Sequence, residues 1–427
     1  MRGGRYIVGL DIGTTKVCAA VGRAEGRKAE DIACGVAPSG GMRKGAVVDM
    51  DAAAESIRAA VKEAESLSGL SIKAAYVGIG GDHIQCIRSF GAVGVKGKRV
   101  RDKDIDRAVD SASTVYLPLD REVVHIVPSD FVIDGQDGIM RPAGMSGVRL
   151  EVKVSIITAS HSAVENLTGC CEKAGVKAVG MVLGPLAASK AALGPEELET
   201  GAVLIDIGGE TTSIAVFKEG RLKHAGGIPV GGSHLTNDIA IGLRVSQREA
   251  ERLKRAYGLA VLPEGAKETG AESPRGGTAT PQWATSPRGG TATPQWATSP
   301  RDIVETSGIN GEQRMVPLSH IAGIIRPRCM EIFELLRNEI KDWMLYTAVL
   351  AGGTSQVRGM ERVAEAVLGM PARTAAPMHP TAHGLVLYGA EAESRDCIRR
   401  DIIGRVLGRW KNISVIKGSL RYLTTKI

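Results

Sequence analysis

Long apolar runs are missing from this sequence. No stretch approaches the ~20 residues that a spanning helix needs, and the first apolar run is already interrupted at Asp11. Neither a membrane-crossing helix nor a secretory leader is therefore expected. Aromatic residues are scarce, at 4%. The seven cysteines include no CxxC pair, and none stands at metal-ligand spacing from a histidine. Scattered thiols of that kind predict a reduced, cytoplasmic protein rather than a disulfide framework. Most of the chain also lacks an excess of either charge. The net charge of +7 resides in residues 398–427, which hold eight Lys/Arg and one acid, Asp401, while the remainder balances 46 basic with 46 acidic residues. The basicity belongs to a tail, so a nucleic-acid groove is not expected.

What the sequence does have is glycine, 54 residues of 427, in a chain that is 43% hydrophobic. That combination suits an α/β protein with many tight strand-to-helix turns. The length exceeds one ordinary core and predicts two or more domains. Arg5–Leu10 and Val17–Gly22 have the β-rich apolar character of a hairpin around a Gly/Thr turn. Helices are expected over 51–66, 102–113, 247–257 and 321–340, and strands over 74–80, 123–127 and 150–157, with a turn at 134–138. Residues 84–162 form a unit set into the first lobe. Residues 273–298 are two identical copies of SPRGGTATPQWAT. They lack apolar periodicity and predict a disordered or loop insertion, although Trp283 and Trp296 would also suit a partner motif.

Three loops carry the chemistry. In Asp11-Ile12-Gly13-Thr14-Thr15-Lys16 the glycine lets backbone amides approach a phosphate. The hydroxyls of Thr14 and Thr15 and the ammonium of Lys16 add donors, and Asp11 can hold Mg²⁺ through water. Alone, such a turn is common. The pattern recurs at Asp206-Ile207-Gly208-Gly209-Glu210-Thr211-Thr212, again between two apolar strands. This repetition suggests two related lobes that clamp phosphates from opposite sides. The third loop, Ala351-Gly352-Gly353-Thr354-Ser355, offers glycines against which an adenosine ring can lie.

In this order the loops resemble the phosphate 1, phosphate 2 and adenosine motifs of the actin, Hsp70 and sugar-kinase superfamily. Within it the chain resembles the FtsA family of bacterial cell-division proteins. Asp49 in GAVVDMD, Asp134–Gly138 with Gly144–Leu150, GGSHLTNDIA (231–240), AERLKRAYG (250–258) and AGGTSQVRGM (351–360) carry the likeness, which runs from about residue 5 to 395. The resemblance implies an actin-like two-lobed α/β fold of duplicated ribonuclease-H-like domains. Residues 1–83 and 163–198 would be the first lobe core and 84–162 the family's inserted subdomain. Residues 199–235 and 318–395 would be the second lobe core, 236–317 its subdomain, and 396–427 a membrane tail.

The resemblance further implies a protein that binds ATP and Mg²⁺, polymerises, and tethers the FtsZ ring to the cytoplasmic membrane at the division site. Gly232 would join the nucleotide site. Glu251 and Lys254 would flank the adenosine, or form no more than a helix-surface ion pair. Arg314, Arg326 and Arg328 would meet the acidic, apolar C-terminal peptide of FtsZ, or be ordinary surface charge. Later division proteins would contact residues 84–162.

The tail supports the membrane role from its own pattern. On a helix over 402–413, Ile402, Ile403, Val406, Leu407, Trp410 and Ile413 share one face, and Arg405, Arg409 and Lys411 lie on the other. This describes a helix that lies on anionic lipid. A helix docked on the core is the other reading. Residues 414–427 continue beyond the family's usual end and have no assigned role. Three positions depart from the family pattern: Glu210 replaces a usual glycine, Ser213 a frequent acid, and Gly184 a glutamate that relatives place near the attacking water. ATP is therefore expected to bind but to be hydrolysed weakly or not at all, with Asp206 the residue nearest to a catalytic role. The alternatives are a pilus-assembly ATP-binding protein of the same subfamily and a small-molecule kinase on the same fold.

Overall fold

The computed structural model describes residues 5–25, 28–262, 303–376 and 378–399. The tandem repeat at 273–298, the tail helix at 402–413 and the extension at 414–427 lie outside the described residues.

The first strands are β1 (Arg5–Ile12), β2 (Lys16–Glu25) and β3 (Lys28–Pro38). Ile7–Leu10 of β1 and Val17–Gly22 of β2 are buried on both faces, the pattern of strands covered on both sides, whereas β3 is an edge strand with Ile32 and Val36 exposed. A short ribbon, β4 (Met42–Arg43) and β5 (Ala46–Val47), leads into α1 (Met50–Ser68). Asp49 starts that helix by accepting from the amides of Asp51 and Ala52, and Gly69 ends it in a left-handed conformation. Ala53, Ile57, Ala60, Val61 and Ala64 form its buried stripe. Next comes β6 (Ala74–Ile79).

The inserted unit contains β7 (Gln85–Gly94), α2 (Asp102–Ser113), β8 (Arg121–Ile133), β9 (Gln136–Ile139) and β10 (Arg149–Ser160). These strands make a sheet of order β7-β10-β8-β9, with a separate apolar core under α2 that includes Val109, Phe131 and Leu150. The expected turn is confined to Asp134 and Gly135, and Gln136 already belongs to β9. Asp134 accepts from the amides of both Val148 and Arg149, which explains why the two sequence blocks belong together.

The chain returns through α3 (His161–Lys173), β11 (Lys177–Leu183), α4 (Gly184–Ala192) and α5 (Pro195–Thr200) to the second lobe strands β12 (Ala202–Ile207), β13 (Thr212–Lys218) and β14 (Arg221–Ile228). Arg221, buried on β14, donates to the carbonyl of Ser129 at 2.8 Å, and Lys223 pairs with Asp130 at 2.6 Å. The second lobe thus grips the inserted sheet directly. Then follow α6 (Gly232–Leu243), α7 (Gln247–Tyr257), the ribbon β15 (Ile303–Ser307) with β16 (Gln313–Pro317), α8 (Leu318–Ile340), β17 (Thr347–Ala351), α9 (Met360–Leu368), β18 (Ala372–Thr374) and α10 (Pro380–Arg399).

The duplication is visible strand by strand. One five-stranded sheet has the order β11-β6-β1-β2-β3, and the other β18-β17-β12-β13-β14. In each, a central strand pairs antiparallel with the next strand in sequence and parallel on its other side. Helix α10 packs on the first sheet so closely that a Cβ on Gly9 would come within 2.3 Å of the Ala382 carbonyl.

By compactness the chain divides elsewhere. Residues 233–334 and 356–369 form one unit, and both five-stranded sheets with the inserted unit fall in the other.

Candidate functional site

The two hairpins β1–β2 and β12–β13 close in the same way. The amide of Gly13 donates to the Lys16 carbonyl at 3.0 Å, and the amide of Gly208 to the Thr211 carbonyl at 2.9 Å. The equivalence pairs Asp11 with Asp206 and Lys16 with Thr211, so only the first hairpin brings a cation. The two turns also touch each other. A Cβ on Gly209 would lie 2.5 Å from Thr15 Cγ2 and 2.6 Å from Thr14 Oγ1, so any side chain there would push them apart.

Asp11 and Asp206 end their strands in densely packed surroundings while keeping partial solvent contact. Burial pushes the Asp11 carboxyl up to about 7, the Asp206 charge adds to this, and Lys16 opposes it. The Asp206 carboxyl is also raised by burial, against the hydroxyl of Thr381 and the charge of Lys16. Two carboxylates that resist ionising side by side become favourable when a divalent cation neutralises them. The donor set, two carboxyls with threonine hydroxyls and backbone turns around them, is hard and oxygen-rich. It fits Mg²⁺ held through water.

The third loop packs against the second. Gly352 has φ +85°, and a Cβ there would meet Asp206 Oδ1 and the Ile207 carbonyl, each at 2.4 Å. Its lack of a side chain is thus required by the Asp206 strand end. Gly353 has no neighbour within 4 Å of a built Cβ and leaves backbone accessible for a ring. Thr354 is buried and donates to the Gly208 carbonyl at 2.9 Å. Thr212 likewise donates to the Val230 carbonyl at 2.7 Å. Both hydroxyls brace loops. Thr14, Thr15 and Thr211 remain at least partly accessible. Gly232 donates to the Gly208 carbonyl at 2.9 Å, fixing the chain beside the second turn.

Glu210 does not lean over its own turn. Its carboxylate accepts from the amide of Lys44 at 2.5 Å, a residue at φ +49° in the first lobe. The acid therefore bridges the two lobes. Gly184 opens α4, and a Cβ there would meet only Ile79 O at 3.6 Å and Thr381 Cγ2 at 3.8 Å. A Cβ fits there at ordinary contact distance.

In the other unit, Lys254 is buried and Glu251 half-buried. Lys254 pairs with Glu251 at 2.7 Å and both bond the hydroxyl of Thr236. Burial lowers the Lys254 pKa, with Glu251 opposing. This is an internal strut between α6 and α7, more than a surface pair. Arg328 grips Asp238 with two nitrogens, at 2.8 and 3.1 Å, and also contacts Glu331. Arg314 pairs with Glu312, two residues away, at 2.8 Å. Arg326 is half-buried on α8.

Two residues at the site were not singled out from the sequence. Thr381, on the first turn of α10, donates to Asp206 Oδ2 at 3.2 Å, and Lys16 Nζ lies 2.9 Å from His379 Nδ1. The His379 pKa is pushed down to about 4 by burial, by Lys16 and by His383. The only local signal for this segment is Pro380, a helix-start residue.

Comparison with known proteins decides the family. A model of the family described as "Cell division protein FtsA" matches residues 203–390, and one described as "SHS2 domain inserted in FTSA" matches 81–158. FtsA of Pseudomonas aeruginosa is 35% identical over 415 residues, spanning 92% of this chain and 91% of that protein. The chain belongs to the FtsA family of cell-division proteins. FtsA of Bacillus subtilis is 35% identical, covering 88% of this chain and 80% of its own, and FtsA of Escherichia coli K12 is 30% identical, covering 91% of each. Among solved structures, the PilM–PilN type IV pilus biogenesis complex aligns at TM-score 0.58 and 16% identity, over 91% of this chain and 98% of that one. The ethanolamine utilization protein EutJ from Carboxydothermus hydrogenoformans aligns at 0.51 and 19%, over 91% of each. These likenesses show the fold. It is the actin-like two-lobed fold, with the inserted subdomain that marks FtsA.

Proposed function

We propose that this FtsA-family chain binds ATP with Mg²⁺ between its paired hairpins and, in that state, polymerises and fastens the FtsZ ring to the inner face of the cytoplasmic membrane. The observation that carries the nucleotide reading is the meeting of Asp11, Asp206 and Lys16 at the ends of two equivalent strands, with Gly209 seated on Thr14 and Thr15. The turn amides and the hydroxyls of Thr14, Thr15 and Thr211 orient phosphate oxygens, and Lys16 supplies the fixed positive charge. Asp11 and Asp206 hold the water shell of the cation, which offsets phosphate charge when bound. Thr381 keeps Asp206 aimed.

Hydrolysis is slow in this reading, because Gly184 supplies no carboxylate to orient a water. Glu210, drawn off to Lys44, serves as a latch between the lobes. Residues 402–413 attach the chain to anionic lipid, Arg314 and Arg326 face the FtsZ C-terminal peptide, and residues 84–162 contact copies of the chain or later division proteins.

Two measurements test this. Binding of a fluorescent ATP analogue with Mg²⁺ should be lost in Asp206→Ala, with the secondary structure retained. Equal affinity in the variant would overturn the nucleotide site. Co-sedimentation with anionic liposomes should require the residues after Glu393, and a chain ending there should stay in the supernatant. Capture of an FtsZ C-terminal peptide then tests the partner.

A further inference from the structure

Beside Lys16, three segments far apart in the sequence bring soft or borderline donors to one point. Cys18 lies on β2 opposite Val36, and Cys34 lies on β3 opposite Ala20, so the two are diagonal neighbours on one sheet face. That face is covered by α10, and the residue just before α10 is His379. One ligand atom from each of Cys18, Cys34 and His379 falls within 4.8 Å of the other two. The two sulfurs are 2.8 Å apart.

We propose that Cys18, Cys34 and His379 form a binding site for a thiophilic divalent cation, with Zn²⁺ the ion whose chemistry fits. Two thiolates and an imidazole are the donors Zn²⁺ takes, at about 2.3 Å to sulfur and about 2.0–2.1 Å to nitrogen. Those bond lengths space ligand atoms roughly 3.5–3.8 Å apart around a tetrahedral ion, inside the observed spread. The sulfurs need only separate by about 1 Å, within the range of a small χ1 rotation. Mg²⁺ and Ca²⁺ prefer oxygen and would stay with Asp11 and Asp206. Three protein ligands leave the fourth position for water or an exogenous donor.

The surroundings favour loading. Cys18 is fully buried, while Cys34 and His379 keep partial exposure and offer a way in. The hydrogen bond from Cys18, aided by Lys16, holds the Cys34 thiol below its usual range, and that same bond with burial holds the Cys18 thiol high. His379 stays neutral at physiological pH, and its Nδ1 lone pair, which faces Lys16 Nζ at 2.9 Å, becomes a metal ligand once that ammonium swings aside. Uptake displaces thiol protons into solvent, so affinity falls as pH falls. Lys16 links this centre to the proposed phosphate hairpin, but metal binding requires no nucleotide and is tested without one.

The test uses the full-length chain, reduced and stripped with a chelator, and titrated with Zn²⁺ against a chromogenic chelator. One tight equivalent is expected. Co²⁺ in place of Zn²⁺ should give thiolate-to-metal charge transfer and the visible bands of tetrahedral coordination. Cys34→Ser and His379→Gln should each weaken Zn²⁺ binding at least about tenfold, and Cys170→Ser should not. The Co²⁺ spectrum of the unaltered chain reports thiolate ligation whether or not the variants fold. Absence of that spectrum, or an affinity indifferent to Cys34 and His379, overturns the proposal. So does a chain that binds no metal and loses two thiols to hydrogen peroxide, since the pair would then be a disulfide switch.

Discussion

Gly209 rests on Thr14 and Thr15, with less than 3 Å between its built Cβ and each of their side chains. The β1–β2 and β12–β13 hairpins therefore share a contact that only hydrogen can occupy. Gly209→Ala should wedge them apart and lower Mg·ATP affinity about tenfold or more, or about 1.4 kcal/mol. Isothermal titration would read this, with circular dichroism as the check on folding. An unchanged affinity would mean that the hairpins bind independently.

The space at Gly184 invites a gain of function. A glutamate there would extend from the start of α4 toward the Thr381–Asp206 pair. We expect Gly184→Glu to raise ATP turnover at least about tenfold, the low end of general-base contributions, with little change in nucleotide affinity. Phosphate release assays decide it, and turnover at the level of the unaltered chain would count against water orientation as the missing function.

His125 predicts an acid limb of stability. Its Nε2 accepts from the Leu183 amide at 3.0 Å, and burial pushes its pKa from 6.5 down to about 4. The unfolded chain thus binds the proton first, and the folded state loses stability as pH falls from about 6.5 to about 4. The full effect is about 3 kcal/mol. Asp11 acts oppositely: its raised carboxyl favours folding most at low pH and progressively less as pH climbs from about 4 to about 7. Comparison with His125→Gln, which retains an acceptor without titrating, separates the two. Urea unfolding should show the variant gaining on the unaltered chain only below about pH 6.5.

The arginines expected to meet the FtsZ peptide should behave differently. Arg328→Ala breaks a bidentate grip on Asp238 and should cost about 1–2 kcal/mol of stability. Arg314→Ala, which breaks an exposed local pair with Glu312, should cost less than about 0.5 kcal/mol. Peptide affinity should fall in Arg314→Glu without a drop in unfolding midpoint. If it falls only where stability also falls, the arginines are structural.

Local pattern made the strands and helices legible. The apolar runs of β1 and β12 and the helical spacing of 51–66, 102–113 and 247–257 all operate within a few residues. So did the repeated Asp-Gly-Thr turns, because duplication leaves its mark in the sequence itself. Partners brought in by the fold were not legible. Lys16 and His379 are 363 positions apart, and nothing near either one signals the other. The same distance hid the convergence of Cys18, Cys34 and His379. The thiols had no histidine at ligand spacing along the chain, but they have one in space. Glu210 showed a third limit: the sequence marked it only as a departure from the family's glycine, whereas its direction, set by the Lys44 amide, is a property of packing.

Helix α10 begins at Pro380, between His379 and Thr381, packs closely over Gly9 of the first sheet, and ends where residues 400–427 begin. It carries Thr381, the partner of Asp206, on its first turn and leads into the tail at its other end. If the tail holds lipid as proposed, a pull on it would reach the Thr381–Asp206 hydrogen bond along this helix. Force at a lipid surface and occupancy of the cleft would then be mechanically coupled through one helix.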